Sequence, residues 1–512
     1  MLFNSYPFVF VFLPLLLLGY WLLARAGIKQ AIPFFLIAAS LSFYGWWNWK
    51  YLFLFGFSIL FNYALGPSLA PSAATEASDA SKRHLTRQAQ PTPRQRSGGE
   101  YSGKTVRLAF AVAVNLGLLG YFKYRNFFID NLNTVTGSDW ALAPLVLPLA
   151  ISFHTFQQIA YLVDCYRRKV EQPPLLSYAL FVLFFPQLVA GPIVHHYQLL
   201  PQLRDKRIYT FDYGSLATGL CFFIFGLAKK LLIADPLSFI SDPIFDGAII
   251  HHPALAQTWI GLCAYTLAIY FDFSGYSDMA VGLARMFGIR LPYNFASPYK
   301  ATSIVDFWRR WHITLSNWLR DYLYIPLGGN RHGKARRYAN LIITMLLGGL
   351  WHGAAWTFVL WGLLHGTYLM VAHMWGALRG RITYRGTPLH IPAPAAWALT
   401  FLAVSFAWVF FRSHSMAHAF AMLEGLAGLN GLVSQRLAIE FDPAKMLLLG
   451  MALVIALLMP NSQQLVDQAA GPGGRLRLHW HPTPAWSAAV AALLLLSLMR
   501  MSNVREFVYF QF

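Results

Sequence analysis

The sequence predicts an all-α, polytopic transmembrane protein with about a dozen spanning or re-entrant helices. Two features of composition lead to this fold class: 57% of the 512 residues are hydrophobic and only 12% are charged, whereas soluble domains typically carry about 25% charged residues. A soluble protein of this length needs a polar surface, so the excess apolar side chains must contact a lipid bilayer. The third feature is that apolar runs long enough to cross a bilayer recur along the chain.

The first apolar run extends from Pro7 to Ala24, close to the ~20 residues that a helix needs to cross the hydrocarbon core. It lacks the basic start and the small-residue cleavage site of a signal peptide, so we interpret it as a retained transmembrane helix. Arg25 and Lys29 follow it directly. Because basic loops tend to stay in the cytoplasm, this order predicts an extracytoplasmic N-terminus and a cytoplasmic first loop.

Further apolar runs are expected to form membrane segments, on a guide length of about 17–25 residues. They occupy residues 31–49, 51–66, 106–122, 145–163, 175–194, 213–234, 254–274, 338–352, 353–375, 395–411, 445–460 and 485–500. Several are interrupted by proline or glycine, as at Phe185-Pro186 and Gly191-Pro192. A membrane tolerates such breaks where neighbouring protein or a cavity satisfies the backbone, so re-entrant helices are expected.

Residues 67–104 differ in composition from the apolar runs around them. They are rich in Pro, Ser, Ala, Thr and Gln, have almost no large apolar side chains, and include several basic residues. Because such a segment cannot bury enough surface to order itself, we predict a disordered cytoplasmic loop. The alternative is a docking arm for anionic lipid or a partner protein.

The formal net charge of +19 is interpreted as topology rather than as nucleic-acid binding. The basic residues cluster between apolar runs, as they do in cytoplasmic loops of membrane proteins. No metal site is expected either. The three cysteines lie far apart, and the pairs His195-His196 and His251-His252 have no carboxylate or thiolate at a suitable spacing, so we interpret these histidines as loop residues.

The stretch 298–337 concentrates arginine, aspartate, histidine and tryptophan between apolar runs. Ionisable groups at membrane depth are costly and are therefore candidates for function. Read as a helix, the stretch places Arg309, Arg310 and Trp311 on a surface that is both cationic and able to stack. Such a surface suits an adenine nucleotide with phosphates, such as coenzyme A. The alternative is a positive-inside loop anchored by tryptophans, which we favour for residues 331–337.

Two histidines are candidates for catalysis. His312 follows an Arg-Arg-Trp sequence, and His352 lies in the apolar run GGLWHGAAW. Because a histidine pKa lies near neutrality, the side chain can take a proton from an attacking hydroxyl and return it to a leaving group. The alternative for each is a packed core histidine. We favour catalysis for His352, keep both interpretations open for His312, and predict that His365 is packed.

Polar side chains also interrupt the apolar segment YFDFSGYSDMA, at Asp272, Ser274, Tyr276 and Asp278. They are expected either to line a cavity or to bond across helices. The chain has no Gly-x-Ser-x-Gly sequence, so a hydrolase mechanism of the soluble type is not expected.

Several stretches resemble the membrane-bound O-acyltransferase family. They are LAISFHTFQQIAYLVDCYR from residue 149, FPQLVAGPI from 185, GLAKKLLIADP from 226, YFDFSGYSDMAVGLARM from 270, FWRRWHITLSNWLRDYLYIPLGGNR from 307, and residues 349–366 with GLWHG. The last two, at this separation, are highly specific. Within the family the chain is most similar to the membrane subunits that O-acetylate alginate.

The resemblance implies a ring of helices around a central tunnel, with the active histidine near the middle of the bilayer. The histidine of the family's Leu-Trp-His-Gly motif corresponds to His352, and that of Arg-Trp-His to His312. Our hypothesis assigns His352 as general base, His312 as a hydrogen-bonding or electrostatic assistant, and Arg309, Arg310 and Trp311 as contacts of the acyl donor.

The function implied is O-acetylation of an exopolysaccharide, alginate-like or cellulose-like. Acetyl groups would pass from cytoplasmic acetyl-CoA through the tunnel of a bacterial inner-membrane protein to a periplasmic acetyltransferase or esterase-like partner. Alternatives are D-alanyl transfer to teichoic acid and, from another class, transport of a polysaccharide or lipid. The division expected is N-terminal transmembrane helices (1–66), the cytoplasmic loop (67–104), the family's catalytic core (105–390) and C-terminal transmembrane helices (391–512).

Overall fold

The computed structural model describes residues 1–69, 98–143, 145–379, 383–384, 387–388, 391–433, 442–467, 478–503 and 505–508. Its α-helices in chain order are α1 Leu13–Arg25, α2 Ala31–Asn48, α3 Tyr51–Leu69, α4 Gly98–Leu119, α5 Arg125–Thr136, α6 Ile151–Tyr166, α7 Leu175–Leu183, α8 Phe185–Leu188, α9 His196–Arg204, α10 Tyr213–Ala228, α11 Asp235–Asp246, α12 Ala248–His251, α13 Leu255–Met286, α14 Ile304–Arg310, α15 Ile313–Leu319, α16 Gly333–His352, α17 Trp356–Arg379, α18 Ala393–Arg412, α19 Met416–Leu426, α20 Pro443–Leu458, α21 Ser462–Val466 and α22 Pro484–Met499. Short π-helical segments extend or join some of them at Pro7–Phe12, Gly120–Tyr124, Lys229–Ala234 and Arg320–Tyr324. Apart from one antiparallel pair of two-residue strands, β1 Thr383–Tyr384 and β2 Thr387–Pro388, all regular secondary structure in the described chain is helical, which confirms the all-α class.

The chain folds into two compact units. The larger unit comprises Met1–Leu22, Ala190–Pro192 and Phe211–Phe512, and the smaller unit comprises Leu23–Val189 and Ile193–Thr210. Each unit therefore combines segments that are distant in sequence, whereas the division predicted from the sequence follows chain order.

Several helical stretches of the described chain are long and apolar enough to cross a membrane. They are Pro7–Arg25, Tyr51–Leu69, Gly103–Thr136, Tyr213–Asp246 and Ala393–Arg412, and two shorter apolar helices are Pro443–Leu458 and Pro484–Met499. The predicted multi-pass character is thus confirmed, while the count of about a dozen stays a prediction. Helices such as α13 and α16 are long enough to span but carry polar side chains that lower their mean hydropathy.

The structure of α13 explains the polar residues noted in the sequence. The apolar run predicted at 254–274 continues as helix to Met286, because the carboxylates in its second half have partners. Lys230 Nζ lies 2.7 Å from Asp272 Oδ1, and Lys229 Nζ lies 2.6 Å from Asp278 Oδ2. These side chains therefore bond across helices, which is one of the two predicted alternatives.

Glycines bring the backbones of α10 and α13 into contact. Gly219 faces Gly282, and Gly226, two turns later on α10, faces Gly275, two turns earlier on α13. A Cβ on Gly219 would lie 2.6 Å from the Gly282 carbonyl oxygen, and a Cβ on Gly226 would collide with the Gly275 carbonyl oxygen. Small residues at such crossings allow close packing in membranes, where helices associate largely through van der Waals contact.

Helix directions define two ends of the larger unit. At one end α11 and α18 finish together, where Arg412 Nη2 lies 2.9 Å from Asp246 Oδ1. α13 begins at the same end, and its Leu255 N donates to Gly431 O at 3.0 Å. The glycine and ring contacts show that α16 and α17, and then α17 and α18, pack antiparallel. The opposite end, where α13 finishes and α16 begins, carries Arg285, Lys334, Arg336 and Arg337, and we call it the basic end.

The smaller unit is held together by buried polar side chains on α3, α4 and α6. Asn62 and Asn115 exchange side-chain amide hydrogen bonds of 2.8 and 3.2 Å, and His154 Nε2 lies 2.8 Å from Ser58 Oγ. Helix occupies both ends of the predicted loop 67–104, since α3 ends at residue 69 and α4 begins at residue 98. Residues 70–97 lie outside the described chain, so the predicted loop stays a prediction.

Candidate active site

Around His312, the motif-rich stretch 298–337 forms two short helices rather than one. α14 ends at residue 310, and α15 begins at residue 313. Between them Trp311 is extended, and His312 has the left-handed backbone φ of 42°. Ile313 N donates to Asn294 O at 2.9 Å and fixes this turn. A positive φ is uncommon for a residue other than glycine, and such conformations concentrate at functional sites.

His312 is fully buried, and its hydrogen bonds define its tautomer. Its Nδ1 lies 3.0 Å from Asn294 Oδ1, and the same oxygen accepts from Thr314 N at 3.3 Å and from Thr314 Oγ1 at 3.0 Å. Because the backbone N–H of Thr314 can only donate, the Asn294 atom is the amide oxygen. His312 must therefore donate from Nδ1, and in its neutral form the lone pair lies on Nε2.

His352 is the last residue of α16 and is surrounded by aromatic rings. It is 5% exposed, with ring centroids of Trp351, Trp361 and Phe411 at 5.0, 5.1 and 5.2 Å. The next residue, Gly353, is extended and ends the helix. This placement sets the imidazole at a helix terminus inside an apolar shell, where electrostatic interactions are stronger than in water.

The structure brings the two predicted histidines together. The ring centroids of His312 and His352 are 6.4 Å apart, with 58° between the ring planes. Phe273 from α13 packs edge-on against His312 at 4.8 Å between centroids. Residues 40 positions apart in the chain thus form one buried imidazole pair. In such a pair one ring can transfer a proton while the other stabilises the charge that develops in the reaction.

His365 is packed, as predicted. It is fully buried, its Nδ1 accepts from Trp308 Nε1 at 3.3 Å, and its ring centroid lies 4.7 Å from that of Trp361. His365 and His352 therefore both contact Trp361 and belong to the same aromatic cluster.

Comparison with known proteins identifies the family. The profile of the MBOAT, membrane-bound O-acyltransferase family, matches residues 163–413, which include both histidines. The chain is 43% identical over 458 residues to the peptidoglycan O-acetyltransferase of Helicobacter pylori, across 84% of this chain and 81% of that protein. The chain belongs to the membrane-bound O-acyltransferase family.

Other relatives of this O-acyltransferase have related names. It is 41% identical over 427 residues to the probable alginate O-acetylase AlgI of Azotobacter vinelandii, across 82% of this chain and 77% of the relative. It is 28% identical over 248 residues to the teichoic acid D-alanyltransferase of Streptococcus thermophilus, across 44% of this chain and 57% of the relative. The O-acetyltransferase relatives thus match nearly twice as much of the chain as the D-alanyltransferase does.

The residues predicted to contact the acyl donor lie in different environments. Arg309 is exposed, whereas Arg310 Nε forms bonds of 2.9 and 3.0 Å with the Asp306 carboxylate, and its Nη1 donates to the Ala296 carbonyl at 3.3 Å. Trp311 is only 2% exposed and packs inside the aromatic core. Arg309 is therefore the most accessible of the three, and the role of all three stays a prediction.

No metal-binding group emerges from the described part of the O-acyltransferase. Nowhere in it do three or more His, Cys, Asp or Glu side chains converge in a way that could hold an ion. The interpretation as loop residues holds for His195, which is extended just before α9, and is wrong for His196, which is the first residue of that helix; both side chains are buried. His196 Nδ1 lies 3.6 Å from Asp164 Oδ2, a long-range contact that the local sequence does not reveal.

Sequence reasoning missed three contributors to the site. Asn294 orients His312 from a loop 18 residues earlier, and Trp361 and Phe411 enclose His352 from two other helices. An asparagine in a loop and aromatic residues in apolar helices are ordinary in a membrane protein. The local sequence signal that points to the site is the presence of Gly349 and Gly353 on either side of His352, and both glycines pack closely against neighbouring atoms.

Proposed function

We propose that this O-acyltransferase passes acetyl groups from acetyl-CoA, on the cytoplasmic side of a bacterial inner membrane, to an extracytoplasmic polysaccharide. The names of two relatives support the acceptor class, since both describe O-acetylation of a polysaccharide, one of peptidoglycan and one of alginate. The acceptor of this chain is proposed to be an exopolysaccharide of the alginate or cellulose type, and peptidoglycan is an acceptor of the same chemistry.

The buried pair of His312 and His352 is the observation that carries the proposal. In acetyl transfer from a thioester, the acceptor hydroxyl loses a proton as its oxygen bonds to the acetyl carbon. The carbon–sulfur bond then breaks, and the thiolate receives a proton. His352 as general base takes the first proton and returns one to the sulfur, so that ester and thiol leave the site with atoms and charge balanced.

His312 is proposed to assist rather than to replace His352. With Nδ1–H held by Asn294, neutral His312 accepts a hydrogen bond at Nε2, which would orient the acceptor hydroxyl. A protonated His312 would instead stabilise the oxyanion that forms on the acetyl carbonyl. Both roles require a ring position that is fixed, and the hydrogen bonds of Asn294 and Thr314 supply it.

The basic end supports a cytoplasmic donor. Lysine and arginine are enriched on the cytoplasmic side of membrane proteins, where acetyl-CoA is made and kept. His352 lies toward the other end of the larger unit. Its ring packs against Phe411, which immediately precedes Arg412, the last residue of α18. Acetyl groups would therefore leave on the extracytoplasmic side, where a periplasmic acetyltransferase or esterase-like partner is proposed to receive them.

The test is replacement of His352 by Gln and by Ala in cells from which the native gene has been deleted. Gln keeps much of the side-chain volume and hydrogen bonding but cannot take up a proton at neutral pH. Both variants should lose at least about 100-fold of the O-acetyl content of extracellular and cell-wall polysaccharide, the usual size of a general-base contribution. Ester-linked acetate and the amount of protein in the membrane are measured together.

His365→Gln is a matched control, because His365 is equally buried and belongs to the same aromatic cluster. Substantial acetylation in this variant, at a membrane abundance equal to that of His352→Gln, separates chemistry from packing. A transporter that merely uses His352 to line a path would tolerate Gln. Normal acetylation in His352→Gln would therefore remove the residue from the mechanism.

A further inference from the structure

A cavity at the basic end of the larger unit contains two arginines. Its volume is about 370 Å³, and its polar lining consists of Arg285, Arg290, Tyr293 and Asp467. Aliphatic side chains that include Ile289 complete the wall. This volume lies within the range of about 300–1,000 Å³ in which small-molecule sites are found, and mixed aliphatic and polar walls are typical of such sites.

The polar groups of the cavity carry a net positive charge. Arg285 Nη2 lies 2.6 Å from Asp467 Oδ1, the Tyr293 hydroxyl donates to the other oxygen of the same carboxylate, and Arg290 is exposed. The lining therefore contains two guanidinium groups and one carboxylate. A guanidinium has five N–H donors, so the ion pair with Asp467 leaves Arg285 with donors for a second anion.

The cavity is connected to the imidazole pair by a short piece of chain. Asn294, which orients His312, directly follows Tyr293 in the wall. The Asn294 amide also lies 3.5 Å from Ser277 Oγ, and Ser277 precedes Arg285 by eight residues on α13. At 1.5 Å per residue the two positions are about 12 Å apart along the helix axis, a distance that a flexible thioester arm can cover.

We propose that this cavity binds the phosphate groups of the acyl donor, while its thioester arm reaches toward His312. The inference rests on the proposed function, because it supplies the donor site for the same transfer. Arginine binds phosphate through paired, charge-assisted hydrogen bonds, and the planar fork of a guanidinium fits two phosphate oxygens at once. The site thus comprises the end of α13, the loop that follows it and Asp467, and it does not include the accessible Arg309 on α14.

The same phosphate chemistry could come from a membrane lipid, so the test compares both sources. The purified full chain in a maltoside detergent is titrated with coenzyme A, with pantetheine, which lacks the phosphates and the adenosine, and with a short-chain phosphatidylglycerol. Coenzyme A should bind to the wild type, and pantetheine should bind at least about tenfold more weakly because the contacts to phosphate are lost. Phosphatidylglycerol should not displace coenzyme A.

Substitutions of the lining residues test which side chains contact the phosphates. Arg290→Gln should weaken coenzyme A binding about tenfold, and adding Arg285→Gln should weaken it further, while pantetheine binding stays unchanged. Asp467→Asn should strengthen coenzyme A binding, because it removes the negative charge that repels phosphate. This expected gain cannot result from misfolding. The double variant of Arg336 and Arg337 to Gln is the matched control, since it removes two charges at the same end outside the cavity.

The outcomes separate this inference from the proposed function. Equal coenzyme A binding by wild type, Arg290→Gln and Asp467→Asn would overturn the cavity assignment, even if polysaccharide acetylation in cells remained normal. Displacement of coenzyme A by phosphatidylglycerol would assign the cavity to lipid and would also overturn it. Loss of acetylation in Arg290→Gln cells that is restored by a higher donor supply would support it, since the defect would lie in donor binding.

Discussion

At the scale of single residues, the site depends on hydrogen bonds to Asn294, a residue outside both histidine motifs. Asn294 Oδ1 receives donors from His312 and twice from Thr314, so one amide holds both the turn and the imidazole. A buried acceptor that serves three donors is costly to remove, because every donor left without a partner keeps its desolvation penalty. Asn294 is therefore a positioning residue, since it acts through His312.

Asn294→Leu should lower polysaccharide acetylation by about 10- to 100-fold, because a buried hydrogen-bond donor left unsatisfied costs ~1–3 kcal/mol and ~1.4 kcal/mol corresponds to a tenfold rate. Asn294→Asp keeps an acceptor at the same place and should retain more activity than Leu. The measurement is O-acetyl content per amount of membrane-inserted protein. Equal activity of the two variants at equal abundance would show that the acceptor does not position His312.

The predictable part of the site consists of residues whose type is unusual in their surroundings. His352 stands out because it is ionisable within an apolar run, and His312 because it follows two arginines and a tryptophan. Asn294 and Phe411 were not predictable, since each is an ordinary residue in its own segment and gains its role from a partner 18 and 59 residues away. Long-range contacts of this kind leave no local pattern.

At the scale of elements, glycine positions decide how closely the helices approach the site. A Cβ on Gly349 would overlap the Phe358 carbonyl oxygen and lie 3.1 Å from Gly362 Cα, so α16 and α17 touch backbone to backbone. The contact lies less than one turn before His352. Separation of the two helices would therefore move the imidazole relative to His312.

Gly349→Ala should destabilise the protein by about 1–3 kcal/mol, the usual cost of overpacking, and should reduce acetylation more than it reduces protein abundance. The matched control is Gly376→Ala on α17, where no atom lies within 4 Å of the added Cβ. Alanine there should be neutral or favourable by up to about 1 kcal/mol, because it is the better helix former. The measurements are thermal unfolding in detergent and polysaccharide acetylation. Equal behaviour of the two variants would contradict the close contact of α16 with α17.

Most helices could be predicted from apolar runs, and the exceptions have physical reasons. The segment predicted at 395–411 is α18 at 393–412, because the run is apolar and ends at a charged residue. α13 extends 12 residues past its predicted end, since lysines from another helix pair with its carboxylates. The predicted helix around residue 312 is broken, because tertiary bonds to Asn294 hold a left-handed turn. In both exceptions tertiary partners override local pattern.

At the scale of the whole molecule, charge distinguishes the two ends of the larger unit. At the end where α18 finishes, Arg412 is paired with Asp242 and Asp246, so its charge is compensated. At the basic end, Lys334 and its neighbours at the start of α16 are exposed, and Arg290 is exposed on the loop after α13. The positive-inside tendency counts lysine and arginine residues near the membrane surface, and it predicts that the basic end faces the cytoplasm.

This orientation can be measured with single cysteines in a background from which Cys165, Cys221 and Cys263 have been replaced. Lys334→Cys should react with a membrane-impermeant maleimide only after the cells are permeabilised, because the basic end should face the cytoplasm. His414→Cys, two residues beyond the end of α18, should react in intact cells. His414 has an exposed side chain, and its surface contact with Asp246 contributes little to stability, so the replacement should not disturb folding.

Each cysteine serves as the control for the other, since both are exposed and lie at opposite ends of the same unit. Acetyl-CoA is confined to the cytoplasm, so the cavity of Arg285 and Arg290 can receive it only if the basic end is cytoplasmic. Labelling of Lys334→Cys in intact cells, together with protection of His414→Cys, would place that cavity outside. The donor would then have to reach the imidazole pair from the end of α18, and the direction of acetyl transfer proposed for this O-acyltransferase would be reversed.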